Sequence, residues 1–577
     1  MAQENRKLIG TAIQIGLIAG AVAVFICLIG MVENLNPRDV VEHVIKLGYF
    51  LLIAINVVAG FVASRQTSSL LQTNKPVLNL LAGFIAGLCS GLVLTLFVWL
   101  GNTVNVRSVF INASPTLYTI LTLGQGMPGL WVLPVIGIVT GLAGAGFHLL
   151  PANFRHPINR ALLITFFMAL FSSLFRVILV NQGGAIAKFA KFLFGQTGLT
   201  LSGGAIFFIG TIIYVIVQST QGAKIQNQFA RLPKTGKVSL RILLFAVLIY
   251  LVLVLPQVSG PFIAQVIVLV ALYILMGLGL NITLGFAGLL DLGFVAFFAI
   301  GAYTVGLLTS YGQFGLQHIS FWAAIPIAVL VAMLAGAILG LPVLGIRGDY
   351  LAIATLGFGE IVRILAGSDW LAPFFGGPQG VLNVQKPCLG LLGPFLQVDV
   401  ARTCSGIEFG GPKEIYYIAV AGAILIAFVA LRLRESRLGR AWLAIREDED
   451  VAEALGINLT QTKLLAYMLG AAFAGLGGAI FATLVGSIFA SSMVLTVSLN
   501  AVAVIVVGGM GSVPGVIVGA TALVGIPELL REVSDYRYLL YGVTLIIMMQ
   551  AKPEGLWPSA TVQRELHHEE PAEASLD

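Results

Sequence analysis

Three ionisable residues, Asp291, Glu360 and Arg363, stand inside stretches that are otherwise apolar. In hydrocarbon such groups are costly unless they pair or line a polar cavity, so each marks an internal ion pair or a polar path. Glu360 falls about ten residues into an apolar stretch that begins near Tyr350, close to mid-depth at about 1.5 Å per residue. Arg363 follows at i+3 on the same helix face, where the two charges can pair. A structural ion pair and a polar element of a translocation path or subunit interface both fit that spacing. Asp291 lacks a local partner and lies between Gly288 and Gly293, a setting for a broken or re-entrant helix, or for a loop carboxylate. The run Gly508, Gly509, Gly511, Pro514 and Gly515 interrupts another apolar stretch. It reads either as a tight turn or as exposed backbone of the kind that coordinates zwitterions in transporters.

A second constellation is made of charge. The segment from Arg432 to Lys463 holds 12 of the 58 charged residues in 32 positions, which in so hydrophobic a chain marks surface in water. Arg432, Arg434, Arg437, Arg440 and Arg446 precede the acidic run Glu447, Asp448, Glu449, Asp450 and then Glu453. Acidic residues suit a helix N-terminus, and Gly456 after Leu455 is a usual stop. The pattern predicts a short helix of roughly nine residues that offers Val451, Ala452 and Leu455 to a partner. A basic loop on the inner side of a membrane would explain the arginines alone. It leaves the acidic cluster and the glycine stop unexplained.

Those residues must be carried by membrane helices. The chain is 58% hydrophobic and 10% charged, with a mean hydropathy of +0.97, where ordinary soluble domains carry about 25% charge. Stretches of about 20 apolar residues recur from end to end. The expected fold is therefore all-α and polytopic, because a lipid-exposed strand leaves its backbone unpaired and the alternation of a barrel is absent. The net charge of +6 implies contact with anionic lipid, not nucleic acid. The sequence predicts six spans within residues 1–218, the first an uncleaved anchor, and a basic cytoplasmic linker over 219–241. A second membrane module follows over 242–558, with a polar tail over 559–577. With the N-terminus inside, basic residues of the first module and linker fall eleven inside against six outside.

Several chemistries are disfavoured. No G-x-x-x-x-G-K-[ST] phosphate loop occurs, and the only Gly-Lys pair, Gly236-Lys237, is followed by Val238. The six histidines form no i, i+4 ligand pair, so no metal site is expected. Cys27 and Cys89 lie in spans. Cys388 and Cys404 lie in a long loop expected outside, where a disulfide between them is permitted.

The second module carries five motifs in order: GLGLNITLGFAGLLDLGFVAFFAIGAY over 277–303, GIRGDYLAIATLGFGEIVRI over 345–364, GRAWLAIREDEDVAEALGI over 439–457, GGMGSVPG over 508–515 and KPEGLW over 552–557. Over residues 262–558 the chain resembles the permease subunits of high-affinity branched-chain amino-acid ABC importers, the LivM type. The first 240 residues do not. The resemblance implies a transport subunit in the bacterial inner membrane that binds no cofactor itself. It would work with a sister permease, two cytoplasmic ATPases that use ATP and Mg, and an external solute-binding protein. It also implies an ATPase-coupling role for Gly439, Arg440, Ala444, Arg446, Ala454, Leu455 and Gly456, beside Glu447, Val451 and Ala452. The general coupling motif of importers fits only through its alanine and glycine, Ala452 and Gly456. Urea or short amides as substrates, a lone ion-coupled carrier and a membrane-embedded enzyme are the alternatives; few buried carboxylates and no catalytic cluster disfavour the last two.

The topology makes a direct prediction. Single cysteines placed at Gln66 and Thr235 should react with impermeant thiol reagents only from the cytoplasmic side, and external labelling of either would refute six spans with both ends inside.

Overall fold

A backbone in hydrocarbon has no water to bond, so helices satisfy it locally. The computed structural model describes residues 2–71, 75–230, 247, 249–250, 252–315, 319–343, 345, 349–389, 407–530 and 536–559. Among them ten helices are long and apolar enough to cross a bilayer, or eleven when one bent pair counts as a span. The protein is a multi-pass helical membrane protein. It divides into two compact units, Met1–Leu243 and Leu244–Asp577.

The first unit contains α1 (Ala2–Leu28), a hairpin of β1 (Asp39–Val41) and β2 (Ile45–Lys46), α2 (Leu47–Leu71), α3 (Pro76–Thr103) and α4 (Val132–Leu149). Then come α5 (Ala152–Leu170), α6 (Ser172–Val180), α7 (Gly184–Leu193) and α8 (Leu201–Ala230). Helices α5 and α6 are the bent pair, at 60°. At the bend Arg38 donates from Nη1 to the Leu170 carbonyl at 3.3 Å and from Nη2 to Ser173 Oγ at 2.8 Å. Helix α8 runs twelve residues into the segment expected to be a linker. Residues 219–230 are polar, yet Lys, Gln and Ala continue a helix readily. The rest of that linker lies outside the described residues.

Helices α3 and α4 approach through small residues four apart, as membrane helices without a hydrophobic driving force do. Gly83, Gly87 and Gly91 face Gly141, Gly137 and Pro134, backbone to backbone, and a β-carbon at Gly87 would collide with the Gly137 carbonyl.

In the second unit a helical stretch over 252–259 precedes α9 (Pro261–Leu280), which passes into a π-helical turn (Asn281–Phe286), followed by α10 (Val295–Thr309), α11 (Phe321–Val343) and α12 (Asp349–Ala366). A loop with β3 (Val381–Leu382), β4 (Cys388–Leu389) and β5 (Ile407–Glu408) leads to α13 (Pro412–Glu435), α14 (Arg437–Glu447), α15 (Glu449–Ala454) and α16 (Leu459–Val485). Then follow β6 (Ser487–Ile488), α17 (Leu495–Gly508), α18 (Val513–Ala520) and α19 (Arg537–Ala551). Strand β3 pairs with β6 and β4 with β5, both antiparallel. Helix α16 is the core, packed along α9, α10 and α11. Its Gly475 backs onto Gly301 and Ala332, and its Gly478 onto Phe298 and Ala302.

The α3–α4 contact sets the first testable expectation. Gly87→Val should destabilise the full chain by roughly 1–3 kcal/mol, the usual range for overpacking, measured as a lowered melting temperature in detergent. Gly146→Ala, where a β-carbon meets nothing within 4 Å, should leave it unchanged.

Candidate functional site

The charged segment folds as three helices in a row, each started by its own side chain. Ser436 Oγ accepts from the Gly439 amide at 3.2 Å, Asp448 Oδ1 from the Asp450 and Val451 amides at 2.9 and 3.0 Å, and Asn458 Oδ1 from the Gln461 amide at 3.0 Å. Such caps each contribute about 1 kcal/mol. The acidic start and the glycine stop stand as expected: Asp448 caps α15, and Gly456 adopts φ +88°, which penalises a β-carbon. The length does not. Instead of one helix over Glu447–Leu455 there are two, because Asp448 leaves α14 in an extended conformation, φ −157°, before it caps α15.

Two contacts fix this segment to α16. Trp442, fully buried, donates from Nε1 to the Thr462 carbonyl at 2.8 Å. Lys463, also buried, pairs with Glu449 at 2.6 Å. Ala452 corrects an expectation, since it is 1% exposed and packs within the chain. Val451 at 54% and Leu455 at 76% are the apolar side chains left outward. In a six-residue helix only one face can point away, and Ala452 is on the other.

Arg446 finds its partner within the chain. Its Nη1 donates to the Gly285 carbonyl at 2.7 Å, and the side chain lies against Gly288 and Gly511. Gly285 belongs to the π-helical turn that ends α9, where the ladder opens and a carbonyl is free for an outside donor. The same turn reaches the glycine run, where Asn281 Oδ1 accepts from the Gly511 amide at 2.9 Å. On the other side of that run the Leu556 and Trp557 amides donate to the Val507 and Gly508 carbonyls at 2.8 and 2.9 Å. The glycines therefore form the tight turn between α17 and α18, and Gly508 packs directly on Gly515. Four of the five sequence motifs converge here.

Asp291 sits in the break between the π turn and α10, outside the spans, and is 1% exposed. Its Oδ1 accepts from the Gly293 amide at 2.9 Å, while Oδ2 has no hydrogen-bond partner. Burial pushes the carboxyl up to about 7, against the opposing pull of bonds from Gly293 and Thr355. The break is pinned from both sides, by Thr355 Oγ1 accepting from the Leu292 amide at 3.0 Å and Ser498 Oγ from the Val295 amide at 2.9 Å. Asp291 thus lies in the connection between the π turn and α10.

A family model described as the permease component of branched-chain amino acid transport systems matches residues 262–549. The high-affinity branched-chain amino acid transport permease protein LivM of Salmonella typhimurium is 40% identical over 303 residues, 51% of this chain and 70% of that protein. The chain belongs to the branched-chain amino acid permease family. A probable LivM of Methanocaldococcus jannaschii is 23% identical over 348 residues, 53% of this chain and 95% of its own length. LivH of Escherichia coli, a permease protein of the same kind of system, is 29% identical over 144 residues, 24% and 46% of the two chains. No solved structure matches the chain.

Within this permease unit, other predicted residues stand apart from the convergence point. Glu360 and Arg363 pair with each other at 2.7 Å, each one-third exposed. Helix α12, 18 residues long, is not among the helices that meet the length and hydropathy needed for a span, so mid-depth burial of that pair is not observed. Arg440 donates to the Glu435 carbonyl at 3.0 Å on the surface, and Gly439 packs against the backbone of Leu433 and Arg434. Ala444, Glu447 and Ala454 belong to α14 and α15 without a side-chain bond to the π turn. Cys388 on β4 is disulfide-bonded, Cys27 and Cys89 are free, and Cys404 lies outside the described residues. Asn281, Trp442 and Lys463 were not anticipated. Each carried a signal: an amide in an apolar span, an aromatic three residues after Gly439 and three before Ile445, and a lysine opening a hydrophobic helix.

Asp291 gives this site a pH signature. Its folded carboxyl titrates near 7 and its unfolded one near 3.8, so the folded state holds an extra proton between those values. Its contribution to stability is full below about 4, declines as pH rises toward about 7, and is level above. Asp291→Asn, which keeps the shape without the titration, should flatten that slope in melting curves recorded from pH 4 to 8; an unchanged slope would assign it to other groups.

Proposed function

We propose that this chain is the transmembrane permease of an ATP-driven importer of branched-chain amino acids in a bacterial inner membrane. Segment 436–461 is its contact with a cytoplasmic ATPase. The observation that carries this reading is the Arg446–Gly285 hydrogen bond. It joins a capped, surface helix pair to the open turn of a membrane helix, so a push on Val451 and Leu455 is delivered to the break that carries Asn281 and Asp291. A rigid pair of short helices, held by Trp442 and Lys463, transmits displacement rather than absorbing it.

The chain makes and breaks no covalent bond on this reading. Two partner ATPases hydrolyse ATP with Mg, a sister permease completes the pore, and a solute-binding protein delivers cargo from outside. Likeness to both a LivM and a LivH protein supports pairing of two related permeases, and the relatives' names supply the substrate class. Alternating access then consists of the two breaks, at 281–294 and 508–512, opening to one side at a time.

Two variants separate attachment from transmission. Leu455→Asp alters an exposed side chain and should remove ATPase subunits on purification while the permease still inserts. Arg446→Ala should keep them bound but lower leucine uptake per ATP hydrolysed by about tenfold or more, since one charged hydrogen bond is worth roughly 1.5–3 kcal/mol. Normal coupling in Arg446→Ala would sink the transmission route, and uptake of urea in place of leucine would move the substrate class.

A further inference from the structure

From residue 43 to residue 290 the sequence contains fourteen Lys and Arg and no Asp or Glu. Cations of the first unit therefore have few acids to pair with. Of those acids Glu33, Asp39 and Glu42 are already bonded, to Ser114 Oγ, Thr197 Oγ1 and the Gln196 amide, and Glu4 stands on α1.

Against this background a groove of about 460 Å³ lies between α5 and α8, two helices that pack together. Its polar lining is Asn153, His156 and Arg160 of α5 and Gln218 of α8, and Ala152, Pro157 and Val215 complete it. Asn153, His156 and Arg160 follow at i, i+3 and i+7, one face of a helix. Arg160 is exposed and has neither an ion pair nor a hydrogen bond among the described residues. Its neighbour Arg155 is engaged, donating from Nη1 to the His148 carbonyl at 3.4 Å. The groove thus offers one free guanidinium, an imidazole and two amides, and no carboxylate.

Its depth is set by α8, whose apolar span Leu201–Gln218 ends at the groove. The polar lining therefore stands at the edge of the hydrocarbon, where lipid headgroups lie. Beyond Arg160 the same face of α5 continues as Leu163, Ile164 and Phe167, exposed by 60, 43 and 48%. A polar end at headgroup level that runs into an open apolar track has the form of a lipid.

We infer that this groove binds an anionic glycerophospholipid of the phosphatidylglycerol type, with its phosphate on Arg160, its glycerol head between Asn153 and Gln218, and an acyl chain along Leu163, Ile164 and Phe167. A guanidinium and a phosphate form a strong charge-assisted pair, and basic pockets between membrane helices hold anionic headgroups. Side-chain amides both donate and accept, which suits the hydroxyls of a glycerol head. A zwitterionic head would bring an ammonium into a groove without an acid to receive it. One free guanidinium matches one phosphate.

The test is native mass spectrometry of the full chain in detergent, titrated with dioleoyl phosphatidylglycerol against dioleoyl phosphatidylethanolamine. Preferential, saturable retention of one phosphatidylglycerol is expected. Arg160→Gln should weaken it about tenfold, the loss of one charged hydrogen bond. Lys75→Gln, which removes an exposed cation at the start of α3 outside the groove, should leave it unchanged. Asn153→Asp keeps the size of an exposed side chain and adds the missing acid, so it should turn the preference toward phosphatidylethanolamine. Equal losses in Arg160→Gln and Lys75→Gln would reduce the effect to general surface charge and overturn the inference. So would equal retention of the two lipids by the unaltered chain, tighter retention of the two-phosphate lipid cardiolipin, or displacement by inorganic phosphate alone, which would assign the groove to a free anion.

Discussion

Where a membrane helix breaks, its freed carbonyls need donors that hydrocarbon cannot supply, and in this protein arginines from other segments provide them. Arg38 satisfies the bend between α5 and α6, and Arg446 satisfies the π turn below α9. Each break is therefore conditional on a distant residue remaining in place. The second case matters most, because its arginine belongs to a surface helix. Irregular backbone inside the permease unit and the position of a water-facing segment become one structural variable.

The rest of that unit is arranged around this dependence. Asn281 closes the turn against Gly511, the 556–557 segment closes the glycine run from the other side, and Thr355 and Ser498 pin the residues around Asp291. Helix α16 gives all of these a fixed reference, since its glycines let α9, α10 and α11 come within backbone contact. Trp442 and Lys463 then register the surface helices to the same reference. Rigid parts border two breaks, an arrangement suited to discrete displacement.

Much of this was legible in the sequence, and the reasons for the failures are specific. Apolar length identified the helices, and the acidic run and Gly456 identified α15, because these are local effects written in consecutive residues. The glycine-flanked interruption at Gly288–Gly293 was legible for the same reason. Ala452 was misread because a one-residue rotation about a short helix exchanges buried and exposed faces, and nothing in an isolated stretch sets that rotation. The partner of Arg446 was not legible, because a guanidinium bonds any acceptor and a carbonyl released 161 positions earlier in the chain leaves no mark in the residues around it. Asn281 carries no charge to mark it, although an amide in hydrocarbon faces the same demand for partners.

The segment that seals the glycine turn has a consequence in time. Residues 556 and 557 leave the ribosome after all the helices described here, yet their amides complete the hydrogen bonding of Val507 and Gly508. Until then the turn between α17 and α18 carries unsatisfied carbonyls inside an otherwise assembled unit. A chain cut short before Leu556 therefore differs from one that extends past Trp557 by the polar backbone it leaves open at Val507 and Gly508.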